Sequence, residues 1–419
     1  MVNTSDDIQD VIVIGAGIIG LSIALQLHSE GKKVTILDKN TPMHGCSAGN
    51  AGFLSEANIF PPATKDIILK LPKLLFAKKG PLVIAPSYMN RMIPWTMKAA
   101  ATLNHARYHK IVNAFSSLIT CSQSSLMTLA TKANAQHYLS TEGGLVCFLT
   151  KEAFKERQKK IPVWREKGVA VRTLSTAQTL ELEPNVSRKI VGSLFFENSG
   201  RCKNPQDLGL TYFNYLRAMG VSYIKDEAID IIDAGEGRWE VKTTKHSLIT
   251  SKIILSAGYY TERLLKKFGY RNNVVSERGY HLMLKDSAVL LNRPVVFGEP
   301  YFAATPMEHG LRLAGTAEFC HPDKPENFSR AYMLKELAQE YIPTLSASEP
   351  VPWMGIRPTL PDGLPAIGMV KNQQGLFYAY GHGHNGLMTS AITAECISAM
   401  VSGKIPPVDI EPFDLARFD

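Results

Sequence analysis

Two glycine-rich turns, one near each end of the chain, hold the residues best placed to do chemistry. The first, Gly15-Ala16-Gly17-Ile18-Ile19-Gly20, is a G-x-G-x-x-G pattern. Gly15 permits a tight turn, Gly17 lets the backbone approach a pyrophosphate, and Gly20 lets the following helix pack closely on a strand. Ile18 and Ile19 open that helix, whose N-terminal N–H groups and partial positive charge suit phosphate. Asp38 follows Gly20 by eighteen residues, at the end of the next apolar run. A carboxylate there accepts hydrogen bonds from ribose hydroxyls and would repel the 2′-phosphate of NADP, although the neighbouring Lys39 weighs the other way. These features define a dinucleotide site without separating a flavin from a nicotinamide. The second turn, Gly381-His382-Gly383-His384-Asn385-Gly386, follows an apolar run and leads into the last helix. A helix N-terminus aimed at an isoalloxazine ring stabilises the negative charge of a reduced flavin, which favours FAD. A plain flexible loop is the competing reading.

The elements that must position these residues follow from periodicity. Val11–Ile14 reads as a strand buried on both faces and Ile18–Ser29 as a helix stopped by Gly31; Val34–Leu37 is the second strand. Residues 61–135 look mainly helical, broken by Pro61, Pro62, Pro72, Pro81, Pro86 and Pro94. From Gly144 the pattern becomes mixed. Strands are expected at 145–149, 194–196, 221–224, 239–243, 253–256, 281–284, 295–297, 311–314 and 376–380. Helices are expected at 205–219, 331–341 and from Gly386 to about Ser402. No internal repeat or low-complexity tract appears.

Composition narrows the classes further. With 45% hydrophobic and 20% charged residues, the 419-residue chain is globular and long enough for two domains. The apolar run Val11–Leu27 is short for a membrane span, is interrupted by glycines, and follows Asp6, Asp7 and Asp10 rather than a basic start. Six cysteines without a C-x-x-C pair suggest neither zinc nor disulfides, and a cytoplasmic setting is expected. Neither His382 with His384 nor His105 with His109 has the further ligands of a metal site, so no metal is expected. The net charge of +8 is concentrated: residues 57–141 hold ten Lys/Arg and one acid, Asp66. A solvated basic face is one reading of residues 65–110; docking on an anionic membrane surface is the other. No nucleic-acid-binding module accompanies the charge.

Further markers carry a family resemblance. They are Cys46-Ser47-Ala48-Gly49-Asn50-Ala51-Gly52, Glu183-Pro184, the strand ending at Gly258, Arg278-Gly279-Tyr280-His281, Trp353-Met354-Gly355-Ile356-Arg357-Pro358 and Pro361-Asp362-Gly363-Leu364-Pro365. With the two glycine turns, they make the chain resemble, over nearly its whole length, the D-amino-acid oxidase and dehydrogenase superfamily of flavoproteins. The resemblance is strongest to bacterial D-amino-acid dehydrogenases of the small-subunit type. It implies an α/β fold in which a Rossmann-like FAD-binding domain with a parallel sheet (1–60, 200–275, 350–419) is interleaved with an α+β substrate domain on a mixed or antiparallel sheet (61–199, 276–349).

The same resemblance implies the site. Oxidation by hydride transfer from Cα to flavin N5 needs an oriented, neutral amine, and Arg357 stands at the family's carboxylate-anchor position. Tyr280, His281 and Tyr301 are secondary candidates at the substrate cavity, and His384 lies in the turn facing the flavin. Cofactor contacts are expected from Gly15, Gly17, Ile18, Ile19, Gly20, Asp38, Lys39, Cys46, Ser47, Asn50, Gly52, Gly258, Gly383, His384, Asn385 and Gly386. The segment Trp353–Pro358 lacks the cysteine that tethers flavin in sarcosine oxidases, so non-covalent FAD is expected and Cys320 reads as structural. The implied reaction converts D-amino acids to 2-oxo acids and ammonia, or D-proline and hydroxyproline types to cyclic imines. Electrons would pass to a respiratory acceptor at the cytoplasmic face of the inner membrane, with an oligomer or partner subunit as an option. An oxygen-dependent oxidase of glycine or sarcosine is the alternative, and a non-catalytic flavoprotein subunit a third.

Overall fold

The computed structural model describes residues 9–62, 80, 82–271, 273–347 and 349–418. Two large sheets carry the chain, and the cofactor and substrate readings fall on different ones.

The first is eight-stranded. Its parallel centre runs Ser222–Lys225, Val34–Asp38, Gln9–Ile14, Ser247–Leu255 and Leu376–Tyr380. Ser247–Leu255 is shared between two environments: its C-terminal half lies parallel to Gln9–Ile14, while Ser247–Thr250 pairs antiparallel with Arg238–Thr243. The β-branched runs here are almost wholly buried, as a parallel sheet covered on both faces requires. Helix Ile18–Ser29 packs between the last helix, Gly386–Val401, and Pro205–Ala218, and the long helix His105–Lys132 packs on Gly386–Val401. The apolar run Val11–Leu27 is therefore a core strand followed by a core helix. Among the described residues no helix is long and apolar enough to cross a membrane.

The second sheet is nine-stranded and mixed. Its order is Pro350–Thr359, Val275–Leu284, Gly310–Phe319, Phe302–Met307, Val295–Phe297, Gly144–Phe148, Gly192–Phe196 and Val171–Leu174, with Leu82–Ile84 joining Gly310–Phe319 in parallel. A short three-stranded sheet of Phe53–Leu54, Gly200–Cys202 and Leu139–Ser140 links the two. The expected fold class, a Rossmann-like parallel sheet with a mixed sheet interleaved, is the one observed. The strand Pro350–Thr359, which the expected boundary at 350 gives to the cofactor part, hydrogen-bonds along its length with Val275–Leu284 in the second sheet.

Several expectations shift. The strands expected at 281–284 and 311–314 lengthen into Val275–Leu284 and Gly310–Phe319, because ladder pairing carries polar residues along with apolar ones, and Pro350–Thr359 forms a ten-residue strand where none was expected. Pro94 sits inside helix Met89–Ala100 instead of ending it. Tertiary ties hold that helix: Trp95 Nε1 donates to Thr359 O at 3.1 Å and Arg91 pairs with Glu262 at 3.1 Å. Pro72, Pro81, Lys65, Lys70, Lys73, Lys78 and Lys79, expected in the basic stretch, lie outside the described residues.

Candidate functional site

A cavity of about 840 Å³ lies between the two sheets, inside the range of roughly 300–1,000 Å³ typical of small-molecule sites. One end is made of backbone. Gly15 has φ +115°, and a methyl group there would lie 2.5 Å from Ser256 O; one on Gly20 would lie 1.8 Å from Gly15 O. Strand, turn and helix can therefore approach this closely only with glycine at both positions. Gly15, Gly17, Ile18 and Ile19 line the cavity, whereas Gly20 works behind them as a packing contact. Helix Ile18–Ser29 has no side-chain cap from Gly17, and Ser47 Oγ accepts the Ile18 N–H at 3.1 Å.

Asp38 closes this end, its carboxylate accepting the N–H of Ala16 at 2.7 Å and of Asn40 at 2.8 Å. Lys39 also lines the cavity, its ammonium over the Tyr260 ring at 4.2 Å and 3.9 Å from Glu227. Gly258, at φ +56°, borders the same region. Cys46 and Asn50 line the cavity as well. Burial pushes the Cys46 thiol up, with the Arg357 charge opposing. Gly52, at φ +70°, packs against Cys202 O and lies off the cavity surface.

At the second turn, Gly383, His384 and Gly386 face the cavity. Asn385 does not; its Oδ1 accepts from Asn58 Nδ2 at 3.1 Å, while Asn50 Nδ2 reaches His384 O at 3.5 Å. His382 is buried and bonds Thr393 Oγ1 at 3.1 Å; burial holds its pKa down at about 3, so it packs as a neutral ring. Helix Gly386–Val401 thus presents an N-terminus without a side-chain cap to the cavity, the second of the two helix ends there.

The other wall is a face of the nine-stranded sheet, built from side chains. Trp353, His281, Ala314, Ala303, Val296 and Val146 are successive register partners across six strands, and all line the cavity. Strand alternation sends Glu277, Gly279 and His281 to this face. Arg357 lies across Gly279: a methyl there would sit 2.3 Å from its Cζ. Its Nη1 donates to Glu277 Oε1 at 2.8 Å and to Thr316 O at 3.4 Å. Burial pushes Glu277 up, but the Arg357 charge, the Thr359 hydroxyl at 2.7 Å and His384 outweigh it and leave the carboxylate lowered. Enclosure lowers the His384 pKa, Glu277 opposing and Arg357 adding to the effect.

The remaining candidates separate. His281 is held rather than free. Its Nδ1 bonds Gly49 O at 3.0 Å and its ring stacks on Trp353 at 4.8 Å and 13°. Burial first, then the Arg312 charge, lower its pKa to about 3. The Trp353 indole in turn fills space that only glycine leaves at Gly49 and Gly355, where a methyl would come within 2.2 and 2.1 Å. Tyr280, a secondary candidate at the substrate cavity, borders it, and its hydroxyl donates to Glu318 Oε2 at 2.6 Å and accepts the Asn327 N–H at 3.2 Å. Alternation explains this, since residues 278 and 280 face opposite to 277, 279 and 281. Tyr301 lines the cavity at the turn between two strands, half-exposed, with φ +55° unusual for an aromatic residue. Cys320 is buried off the cavity, its Sγ accepting from Arg278 Nη1 at 3.4 Å.

Sequence reasoning missed Glu277, Gly279, Trp353 and Arg157 as lining residues. The two-residue spacing of Glu277, Gly279 and His281 was a usable strand signal for the first two. Arg157, in the charged helix Lys151–Gln158, carries none.

A parallel sheet and a mixed sheet, with a cavity whose one end gathers two helix N-termini and the Asp38 carboxylate, are the architecture of a flavin-dependent oxidoreductase. The glycine cradle, which any Cβ would fill, and Asp38 fit the dinucleotide part of FAD. The chain belongs to the DAO family of FAD dependent oxidoreductases, whose model matches residues 10–400; its cofactor is FAD. It is 29% identical over 415 residues to a D-amino-acid oxidase of Bradyrhizobium diazoefficiens, covering 97% of this chain and 98% of the relative. It is 28% identical over 421 residues to a D-amino acid dehydrogenase of Rhizobium johnstonii, covering 97% and 99%. Its fold is similar to the crystal structure of glycine oxidase from Geobacillus kaustophilus, with TM-score 0.77, 22% identity and coverage of 97% and 98%.

Proposed function

We propose that this enzyme oxidises the Cα–N bond of D-amino acids and passes the electrons to a quinone-type respiratory acceptor. The observation that carries the reading is Arg357, laid over Gly279 on the cavity wall and fixed at one nitrogen by Glu277. A guanidinium pinned at one edge offers its remaining donors in a set direction, which suits a planar α-carboxylate. Pairing with Glu277 fixes the guanidinium's orientation before substrate arrives.

FAD, when bound, would supply the two-electron acceptor for the hydride that leaves Cα. The chain's part is orientation. Arg357 holds the carboxylate, and His384, neutral near pH 7, places no positive charge beside the substrate amine. The stacked His281–Trp353 pair walls the site and, through Gly49, ties the Cys46–Gly52 segment to the substrate sheet. In this reading the eight-stranded sheet carries the FAD domain and the nine-stranded sheet the substrate domain. FAD is held non-covalently, which release of free flavin on acid precipitation tests.

The names of the similar proteins support a D-amino acid as substrate, giving a 2-oxo acid and ammonia, or a cyclic imine from a D-proline type. An oxygen-using oxidase is the second reading, favoured by the D-amino-acid oxidase among them. The test is anaerobic mixing with D- and L-amino acids, glycine and sarcosine, followed by turnover with oxygen against a ubiquinone analogue. Bleaching by D-amino acids with faster turnover on the quinone supports the first reading; faster turnover on oxygen supports the second.

Peripheral membrane docking belongs to the same proposal. Met89, Ile93 and Met97 recur every fourth residue on helix Met89–Ala100 and are 44%, 55% and 71% exposed, an apolar stripe within the basic segment 65–110. Co-sedimentation with anionic liposomes should fall when these three become Ser and when Lys70, Lys73, Lys78 and Lys79 become Gln. Unchanged binding removes the case.

A further inference from the structure

The cavity holds a second arginine that the reaction does not use. Arg157 projects from helix Lys151–Gln158, which follows strand Gly144–Phe148, and so it stands at the Val146 end of the cross-strand row. Its guanidinium lies 5.4 Å from the centre of the buried Trp164 ring, whose Nε1 donates to Ala57 O at 3.1 Å. Ala57, Val146, Val296 and Phe302 line the same cavity.

Arg357 and Arg157 differ in what answers their charge. Arg357 has Glu277 at 2.8 Å. Among the described residues, Arg157 Nε is buried without a hydrogen-bond partner, and the titratable group acting on it is the Tyr301 phenol. Burial lowers its pKa, Tyr301 opposing, yet a guanidinium stays protonated near neutral pH. Arg157 is itself only partly buried, but with its Nε enclosed and no ion pair among the described residues its charge is poorly answered, and an anion entering the cavity would supply the missing partner. The surface stem cannot explain the arrangement, because the long apolar chain of a Met would cover Trp164 as well.

We propose that Arg157 is a specificity residue that binds a second anionic group, the terminal carboxylate of a D-amino acid with an acidic side chain. This rests on the D-amino-acid reading above and names its substrate class. Arg357 takes the α-carboxylate at the flavin end of the cavity, and Arg157 takes the side-chain carboxylate at the far end. Tyr301, held beside the opening at φ +55°, is placed to share that contact through its hydroxyl.

The test compares the wild-type holoenzyme with Arg157→Met and Arg157→Lys, each checked for FAD content and melting temperature. The substrates are D-glutamate and D-2-aminoadipate against D-glutamine and D-norvaline, with glutarate as a non-oxidisable dicarboxylate read by its effect on the flavin spectrum. Wild type should favour an acidic substrate over the neutral ones by about tenfold or more, one decade per 1.4 kcal/mol of added interaction. Arg157→Met should lower kcat/KM for the acidic substrates about 100-fold, as expected for losing a buried charge-assisted pair, and leave the neutral ones within about threefold. Arg157→Lys should restore part of the difference. Equal kcat/KM for acidic and neutral substrates in wild type, or an equal fall on all four in Arg157→Met, overturns the proposal. If no D-amino acid bleaches the flavin while glutarate still binds wild type and not Arg157→Met, the D-amino-acid reading has failed and the anionic subsite stands.

Discussion

The two ends of the cavity are built by opposite means. The dinucleotide end is mostly backbone: glycines at 15 and 20 that admit no Cβ, two helix N-termini and one carboxylate, most of it within residues 15–38. The substrate wall is side chain, assembled from strands that are neighbours in space and distant in sequence. Residues 146, 281, 303, 314 and 353 meet there only through ladder register. A backbone site tolerates almost no change at its glycines. A register site can alter single side chains and change substrate while keeping cofactor.

Substitutions at the two ends should therefore fail differently. The largest effect is expected from Gly20→Ala, whose methyl would sit 1.8 Å from Gly15 O. Overpacking against fixed backbone should cost about 3 kcal/mol or more and leave a protein without FAD. Thermal melting and flavin absorbance check both. Gly279→Ala should keep its flavin yet lose about 100-fold in kcat/KM, because the methyl displaces the Arg357 guanidinium and misplaces the substrate. Loss of flavin in this variant would erase the distinction between the two ends.

Acid should act on both ends through buried neutral histidines. His281 and His382 have folded pKa values lowered to about 3 by burial, against about 6.5 when unfolded. Their stabilising share is complete above about pH 6.5 and falls as pH drops from there toward 3, by about 1.4 kcal/mol per pH unit for each histidine. Denaturant unfolding between pH 7 and 5 should show this slope, and His382→Asn should flatten it by one proton. The smallest effect is expected at Ser47→Ala, which removes the hydroxyl that accepts the Ile18 N–H. About 1 kcal/mol, or roughly fivefold in FAD affinity, is the scale for one such contact, and flavin titration of the apoprotein reads it.

The same contrast decided what was legible from sequence. Gly15, Gly17, Asp38 and the turn at Gly381–Gly386 could be read because their constraints act over short stretches of chain, and helix Ile18–Ser29 begins and ends as its pattern predicts. The helix Thr176–Leu182 went unread although Ser175 and Gln178 form a capping box that the sequence displays. Tyr280 does border the cavity, but the turn of its hydroxyl toward Glu318 could not be read, because strand register depends on neighbours far away in the chain and one residue of alternation changes which way a side chain points. Glu277 is invisible as a partner of Arg357 until the strands Val275–Leu284 and Pro350–Thr359 are paired. Arg157 reads as one more charge in an exposed helix, and only the packing of that helix under the sheet end turns it inward.

The central claim is that Arg357 orients an amino acid at an otherwise intact flavin site. Anaerobic rapid mixing of Arg357→Leu with a D-amino acid that bleaches the wild-type flavin tests it most directly. The variant is expected to be yellow, folded and saturated with FAD, with flavin reduction slowed by at least about 100-fold, the scale for a lost bidentate carboxylate contact. Reduction at the wild-type rate, or a wild-type flavin that no amino acid bleaches, would contradict it.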